Sequence, residues 1–158
     1  MISYIENEKN KEKICRNILN QLPEWFSKKD GITQYTKESK SSHLWAYIEN
    51  NKPIGFIMMK ETSHFAVEIS VMGVLKKYQR KGIGAELFKS FYDFAKNNNY
   101  EFIQAKTVRN GEYASYDITN SFYKKIGFKE LECIENLWDK DNPCQIYIMS
   151  INTSKEKS

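Results

Sequence analysis

A short stretch near the middle of the chain combines positive charge with two closely spaced glycines. Gln79-Arg80-Lys81 runs directly into Gly82-Ile83-Gly84, and a helical spacing of apolar residues begins at once. The start of a helix leaves about four backbone N–H groups without partners, and the aligned peptide dipoles place roughly half a positive charge there. Glycines allow a tight bend and remove side chains that would block a ligand. The stretch therefore predicts an anion cradle, with a phosphate as its natural occupant.

The glycine pair alone is a weak signal, because an ordinary strand-to-helix turn with solvated cations would look the same. Two well-known phosphate loops are excluded. A dinucleotide-binding fingerprint needs a third glycine three residues after Gly84, where this chain has Leu87. The other loop needs G-x-x-x-x-G-K-[ST], and the sequence contains no such run. A phosphate site here must therefore be of another kind.

Glu68 is the second residue that could do chemistry. It is the single charged residue in FAVEISVMGVL, residues 65–75, which reads as a strand. A carboxylate in apolar surroundings is a stronger base than one in water, so Glu68 is a candidate proton acceptor. Two other interpretations stay open: the side chain could point to solvent on the alternate face of the strand, or it could orient a substrate amine.

The spacing of apolar residues predicts the elements that must position these groups. Helices are expected at 11–26, with an interruption at Pro23, and at 31–38, 82–98 and 119–126. Strands are expected at 43–48, 54–60, 65–75, 102–108, 129–134 and 145–151. This order predicts an α/β fold, a central mixed sheet flanked by helices, with a right-handed parallel crossover around residues 65–108. One domain is expected over 1–152, with 153–158 as a frayed tail.

The composition and charge of the chain favour a globular protein that binds neither a membrane nor a nucleic acid. The chain has 158 residues, 41% of them hydrophobic and 28% charged, which is typical of one globular domain. No apolar run resembles a membrane span or a signal peptide, so we expect a cytoplasmic protein without a membrane partner. The net charge of +4 is dispersed along the chain. It suits a polyanionic small ligand better than a nucleic acid, which usually meets a concentrated basic stripe.

The three cysteines and two histidines do not predict a metal or disulfide framework. Cys15, Cys133 and Cys144 form no C-x-x-C pair, and the histidines show no H-E-x-x-H spacing. We expect small, buried or half-buried thiols and no metal site.

Three sequence elements together resemble the GNAT superfamily of N-acetyltransferases. Residues 79–84 (QRKGIG) match its Q/R-x-x-G-x-G/A signature, and residues 68–74 (EISVMGV) are similar to the strand before that loop. Residues 122–128 (FYKKIGF) resemble the Y-x-x-x-G-F element of the family. The order and separation of the three make the resemblance far more specific than any one of them, and it covers about residues 43–151.

The resemblance implies acetyl-CoA as co-substrate. The pyrophosphate is expected on the backbone amides of residues 80–85, and the pantetheine arm is expected to pair like an added strand with the edge at residues 72–74. The residues expected to contact acetyl-CoA are Met72, Gly73, Val74, Gln79, Arg80, Lys81, Gly82, Ile83, Gly84, Ala85, Asn120 and Tyr123.

The resemblance also implies a direct attack of an amine on the thioester. Glu68 is expected as the base, acting directly or through a water, and the Val74 N–H as the donor to the oxyanion. Tyr123 is expected as the acid, although a phenol is a weaker acid than a thiol by about 1.5 pKa units, so it could instead only hydrogen-bond the thiolate. Many relatives place an asparagine seven residues before this tyrosine. This chain has Tyr116 there, and Asn120 could take that contact.

The acceptor is the least determined part of the prediction. Aromatic side chains suit an amine-bearing substrate through cation–π contact, although they could equally be core residues. The expected substrate-binding residues are Trp25, Phe26, Tyr35, Tyr113 and Tyr116. We expect a primary amine of a small molecule as acceptor. Alternatives are a protein lysine or N-terminus, and, from another class, a non-catalytic acyl-CoA sensor. A homodimer is possible by analogy with the family.

Overall fold

The computed structural model describes residues 1–151 of the chain, so the predicted tail at 153–158 lies outside the described residues. The helices are α1 (Glu8–Asn20), α2 (Lys29–Ser39), α3 (Ile83–Asn97) and α4 (Ala114–Ile126). The strands are β1 (Ile2–Tyr4), β2 (His43–Glu49), β3 (Lys52–Glu61), β4 (Ala66–Val74), β5 (Phe102–Val108), β6 (Lys129–Asp139) and β7 (Asn142–Ser150). A short 3-10 turn, Lys76–Tyr78, precedes α3.

The strands form one seven-stranded sheet in the order β1-β2-β3-β4-β5-β7-β6. Strand β4 runs parallel to β5, whereas the pairs β1–β2, β2–β3, β5–β7 and β6–β7 are antiparallel. This mixed sheet with flanking helices confirms the predicted α/β fold class. A crossover helix is needed wherever consecutive strands run parallel, and α3 is the helix between β4 and β5.

The chain divides into two compact units. The first comprises Met1–Lys60 and Ser70–Phe94. Within it, Asn7 caps the start of α1, and its side-chain oxygen accepts from the Asn10 N–H at 2.9 Å. The apolar stripe of α1, Ile14, Cys15, Ile18 and Leu19, is buried.

A buried lysine ties α1 to the end of α2. Lys11 Nζ donates to the backbone carbonyls of Ser42 at 2.8 Å and Lys40 at 3.4 Å. Helix ends leave carbonyls without partners, so an ammonium there offsets both the missing bonds and the negative end of the dipole.

The second unit comprises Glu61–Ile69 and the chain from Ala95 onward. Its centre is β5, which pairs with β4 through Ala66–Ile69 and with β7 along its full length. Helix α4 contributes Tyr123, whose ring meets those of Tyr147 and Phe128 at 5.6 and 5.4 Å between centroids. The helix closes on Gly127 at φ +113°, a left-handed C-terminal cap.

Several predicted boundaries were wrong, each for a local reason. Strand β1 was not predicted, since three residues show no periodicity and depend on their pairing with β2. Helix α4 begins at Ala114 instead of residue 119, because Asp117 Oδ1 accepts from the Gly111 N–H at 2.7 Å and lies in the first helical turn. Helix α1 begins at Glu8 instead of residue 11 and ends at Asn20, ahead of the expected interruption at Pro23.

The outermost strand β6 is longer and less regular than the predicted 129–134. Its pairing with β7 slips between Glu130 and Glu132 and again between Ile134 and Asp139, which identifies bulges along it. No helix within residues 1–151 combines the length and apolar character that crossing a bilayer would require.

Candidate functional site

The start of α3 has the geometry that the glycine-rich stretch predicts. The first backbone bond of the helix runs from the Glu86 N–H to the Gly82 carbonyl at 3.1 Å. Within residues 1–151, no backbone or side-chain group accepts from the six consecutive N–H groups of residues 80–85. Arg80 at φ +63° and Gly82 at φ +81° turn the chain through left-handed conformations. Successive amides in such a turn point into a common concavity, which binds anions.

Space is available beside this turn. A Cβ atom built on Gly82 would meet no heavy atom within 4 Å. Arg80 and Lys81 are exposed, and the ammonium groups of Lys77 and Lys81 each lie 5.7 Å from the Tyr78 ring centroid. Open space, unpartnered amides and positive charge therefore coincide at residues 77–85. These residues fit a pyrophosphate, and through it a CoA nucleotide.

Gln79 fixes the loop to the strand before it. Its Nε2 donates to the Val74 carbonyl at 2.8 Å, so this side chain points toward the strand. The 3-10 turn between them closes with the Tyr78 N–H on the Leu75 carbonyl at 2.8 Å and the Gln79 N–H on the Lys76 carbonyl at 3.2 Å. The predicted contact of Gln79 with the cofactor stays a prediction, and the structure gives this side chain a role in holding the loop.

The end of β4 offers a backbone edge for a ligand. The pairing of β4 with β5 covers Ala66–Ile69 and ends at Ile69 opposite Ala105, so residues 70–74 have no partner strand there. The predicted pantetheine residues Met72, Gly73 and Val74 lie in that stretch. Gly73 has a packing reason as well, since a Cβ built on it would lie 2.8 Å from Leu22 Cδ1. An unpaired strand edge can accept an extended, amide-containing ligand.

Glu68 is buried and held by neighbours on β5. It is 5% exposed, and its Oε1 accepts from Gln104 Nε2 at 2.9 Å and from Lys106 Nζ at 3.3 Å. The parallel register places Glu68 opposite Gln104. The interpretation that Glu68 points freely to solvent is therefore wrong. The apolar surroundings that the sequence suggests are also incomplete, because an ammonium and an amide lie beside the carboxylate.

The second oxygen of Glu68 is available for chemistry. Among residues 1–151, none donates to Oε2, although every fully buried side-chain nitrogen and oxygen in that part of the chain has a partner. Oε2 must therefore border accessible space. A carboxylate with one oxygen fixed and the other open is oriented to accept a proton from a bound group or from a water.

Tyr123 and Asn120 occupy the buried face of α4. Tyr123 is almost fully buried, among the rings of Phe122, Phe128 and Tyr147. Asn120 Nδ2 donates to the carbonyls of Val108 at 2.8 Å and Tyr116 at 2.7 Å, and its oxygen accepts from the Tyr147 hydroxyl. These bonds give Asn120 a structural role, and its cofactor contact stays a prediction that this geometry does not favour.

The predicted acceptor residues form two pairs, one in each unit. Phe26 and Tyr35 are half-buried in the first unit, with ring centroids 6.1 Å apart and edge to face. Tyr113 and Tyr116 in the second unit have centroids 5.9 Å apart. Tyr116 lies on α4, ahead of the helix start predicted at residue 119. Trp25 is half-buried beside Phe26. Their role in substrate binding stays a prediction.

The buried cysteines are poorly suited to act as nucleophiles. Burial raises the pKa of the Cys144 thiol to about 11, although Lys106 lowers it in part, and burial likewise raises the pKa of Cys15 to about 11. Both are therefore neutral thiols near pH 7, and the thiolate is the reactive form. Within residues 1–151, no group of three or more His, Cys, Asp or Glu side chains is arranged to hold a metal ion.

Unpartnered amides at a helix start, after a strand with an unpaired edge, are typical of α/β proteins that bind a phosphate-bearing co-substrate. The family model described as an acetyltransferase (GNAT) domain matches residues 3–136. The chain therefore belongs to the GNAT family of acetyltransferases, and it is an acetyl-CoA-dependent acetyltransferase. The resemblance seen in the sequence is confirmed.

Solved structures with the same fold span nearly the whole chain. They include the ribosomal-protein-S18-alanine N-acetyltransferase from Escherichia coli, with TM-score 0.77, 15% identity, and coverage of 100% of this chain and 99% of that one. The aminoglycoside 6'-N-acetyltransferase from Enterococcus faecium has TM-score 0.76, 16% identity, and coverage of 96% and 97%. A GNAT family acetyltransferase from Elizabethkingia anophelis with acetyl-CoA bound has TM-score 0.67, 23% identity, and coverage of 83% and 88%. At these identities they establish the fold. No curated protein matches the sequence.

Gln104 is the residue that sequence reasoning missed. Its amide reaches Glu68 only because β4 and β5 run parallel in a register that sets the two residues opposite each other. The strand alternation of residues 102–108 could have placed Gln104 and Lys106 on one face, but the register with β4 carried no signal in the sequence.

Proposed function

We propose that the protein transfers the acetyl group of acetyl-CoA to a primary amine of a small molecule by direct attack of the amine. The observation that carries this proposal is the buried Glu68 carboxylate, with Oε1 clamped and Oε2 open, on the same strand whose edge is unpaired at residues 70–74. A base that takes a proton from an attacking amine needs such an oriented, accessible oxygen.

Different residues of this chain would bind acetyl-CoA and stabilise the oxyanion. The amides of residues 80–85 and the charges of Arg80 and Lys81 would hold the pyrophosphate. The backbone at Met72–Val74 would pair with the pantetheine arm, and the Val74 N–H would stabilise the developing oxyanion. Acetyl-CoA supplies an activated acyl group whose C–S bond breaks as the new C–N bond forms.

Two proton transfers complete the balance. Glu68 takes one proton from the amine, directly or through a water. Tyr123 then either donates a proton to the departing thiolate or stabilises it through a hydrogen bond. The neutral thiols of Cys15 and Cys144 support direct transfer over an acetyl-cysteine intermediate.

The solved structures of this fold include enzymes named for both aminoglycoside and protein acceptors, so they do not select between these classes. The proposal of a small-molecule acceptor rests instead on the N-terminal aromatic residues. The half-buried pair Phe26–Tyr35 and the neighbouring Trp25 offer ring faces and edges to a compact amine. A panel of small amines and of peptides, with release of free CoA thiol as readout, separates the two. Turnover confined to peptides would refute the small-molecule acceptor.

Glu68→Gln tests the proposed base, because glutamine keeps the size of the side chain and its hydrogen bonding but cannot accept the proton. We expect kcat/KM to fall by roughly 10²- to 10⁴-fold, the usual contribution of general base catalysis, with acetyl-CoA affinity within about twofold of wild type. Glu61→Gln is the control, since Glu61 is an exposed glutamate that accepts from the Tyr100 hydroxyl. An unchanged pH–rate profile in Glu68→Gln would rule out the base role.

Calorimetric titration measures binding of the co-substrate independently of turnover. Acetyl-CoA and desulfo-CoA should bind the wild type, and adenosine bisphosphate, which lacks pyrophosphate and pantetheine, should bind more weakly. Tight acetyl-CoA binding without turnover of any amine or peptide would instead favour a non-catalytic acyl-CoA sensor.

A further inference from the structure

We infer that the acceptor is an amine that also carries a carboxylate, such as a free amino acid, and that Lys106 is the residue that selects it. This inference rests on the proposed function, because it names the class of acceptor for the same site. It begins from the ion pair between Glu68 and Lys106, which a general base does not require.

The charges around the base cancel. Glu68 contributes one negative charge, and Lys106 Nζ lies 3.3 Å from its Oε1. Gln104 adds only a neutral amide. On the other side of β5, the register places apolar Ile146 opposite Lys106 and Ile148 opposite Gln104. Cys144 nearby is a neutral thiol near pH 7. A purely cationic acceptor therefore meets repulsion from Lys106 as well as attraction from Glu68.

Both members of the pair keep free hydrogen-bonding capacity. Glu68 Oε2 has no donor among residues 1–151 and borders accessible space. Lys106 Nζ has three N–H donors, and within the same part of the chain its one partner is Glu68. The Lys106 side chain is 30% exposed, so its remaining donors can reach a ligand.

The pair thus places a hydrogen-bond-accepting oxygen, Glu68 Oε2, beside the N–H donors of Lys106 Nζ. An amino group can bind Glu68 Oε2 while a carboxylate on the same molecule accepts from Lys106 Nζ. Such a ligand pairs both charges at once, and charge-assisted hydrogen bonds are stronger than neutral ones.

Matched substrates test the inference. Each amino acid of a panel is compared with its decarboxylated amine, for example L-phenylalanine with phenethylamine and L-leucine with 3-methylbutylamine, by thiol release at fixed pH. We expect at least a tenfold higher kcat/KM for the carboxylate-bearing member of each pair that is turned over. Lys106→Gln, which keeps one donor but loses the charge, should reduce that ratio at least fivefold, mainly through KM. Lys106→Arg should preserve it.

A second surface lysine is the control. Lys89 is exposed and also paired with a carboxylate, that of Asp93 at 2.9 Å, so Lys89→Gln removes an equal charge from an ion pair away from Glu68. Its substrate ratio should match that of the wild type.

The results of these experiments distinguish a failure of this inference from a failure of the proposed function. Equal or faster turnover of the decarboxylated amines, or an unchanged ratio in Lys106→Gln, would overturn the selection by Lys106. If only amines without a carboxylate were turned over, the proposed acceptor class would be wrong, but the acetyltransferase activity would still hold. Calorimetry with acetyl-CoA on the same variants reports on the co-substrate site, and absence of binding in the wild type would overturn the proposed function itself.

Discussion

Replacing Gly82 by alanine should weaken acetyl-CoA binding as well as destabilise the protein. Gly82 lies at φ +81°, with open space where a Cβ would stand and unpartnered amides on either side. A methyl group there would occupy the approach to those amides. Loss of one hydrogen bond to a charged ligand costs about 1.5–3 kcal/mol, so we expect the Kd for acetyl-CoA to rise by about 10- to 150-fold.

The strain of the substitution must be separated from its effect on binding. An alanine in the left-handed region costs roughly 1–2 kcal/mol, and 1 kcal/mol shifts the Tm of a chain of this size by about 2–4 °C. Gly111 provides a matched control, because it lies at φ +99°, also with no heavy atom within 4 Å of a built Cβ. Gly111→Ala should lose similar stability but should bind acetyl-CoA like the wild type.

The assay is calorimetric titration of acetyl-CoA into both variants, at a temperature well below either Tm. Dissociation constants that rise equally in the two variants would mean that strain alone explains the effect. A wild-type affinity in Gly82→Ala would show that the pyrophosphate does not bind at this turn, and the cradle would be misplaced.

Three further predictions concern stability. Gly73→Ala should destabilise by about 1–3 kcal/mol, because its Cβ would lie 2.8 Å from Leu22 Cδ1, and adding Leu22→Ala should recover part of that loss in urea unfolding. Asn120→Leu should cost about 2–4 kcal/mol in urea unfolding, because it removes three side-chain hydrogen bonds, two of them buried; a loss below 1 kcal/mol would contradict its structural role. The free energy of unfolding should fall from pH 9 to pH 11, because burial raises the pKa of the Cys15 and Cys144 thiols from 9.0 to about 11 in the folded protein. Two pKa units correspond to up to about 2.7 kcal/mol per thiol. The same decline in a variant with alanine at both positions would refute this prediction.

The sequence predicted the geometry of the helix start at residues 80–85 well because all of its determinants are local. The bend depends on Gly82, the amides on the start of α3, and the charge on Arg80 and Lys81, which all lie within a few residues. Strand β5 was likewise predicted with its bounds, since its alternation is regular and the flanking residues interrupt it. Local chemistry is sufficient wherever the partners of a residue are its neighbours in the chain.

The surroundings of Glu68 could not be predicted in the same way. Its partners Gln104 and Lys106 are 36 and 38 residues away, and the register between two strands decides which side chains meet. Asn120 shows the same limit. Its type and position suggested a ligand contact, but its bonds to Val108 and Tyr147 depend on how α4 packs on the sheet.

The bond from Gln79 to the Val74 carbonyl has a consequence for the entropy of binding. A loop that closes only around its ligand must lose conformational freedom at that moment, and the affinity falls accordingly. Here the side chain of Gln79 and the 3-10 turn from Lys76 to Tyr78 hold the amides in place before any ligand arrives. The cost of ordering the loop is therefore met during folding, and a pyrophosphate bound here as proposed would encounter a preformed site.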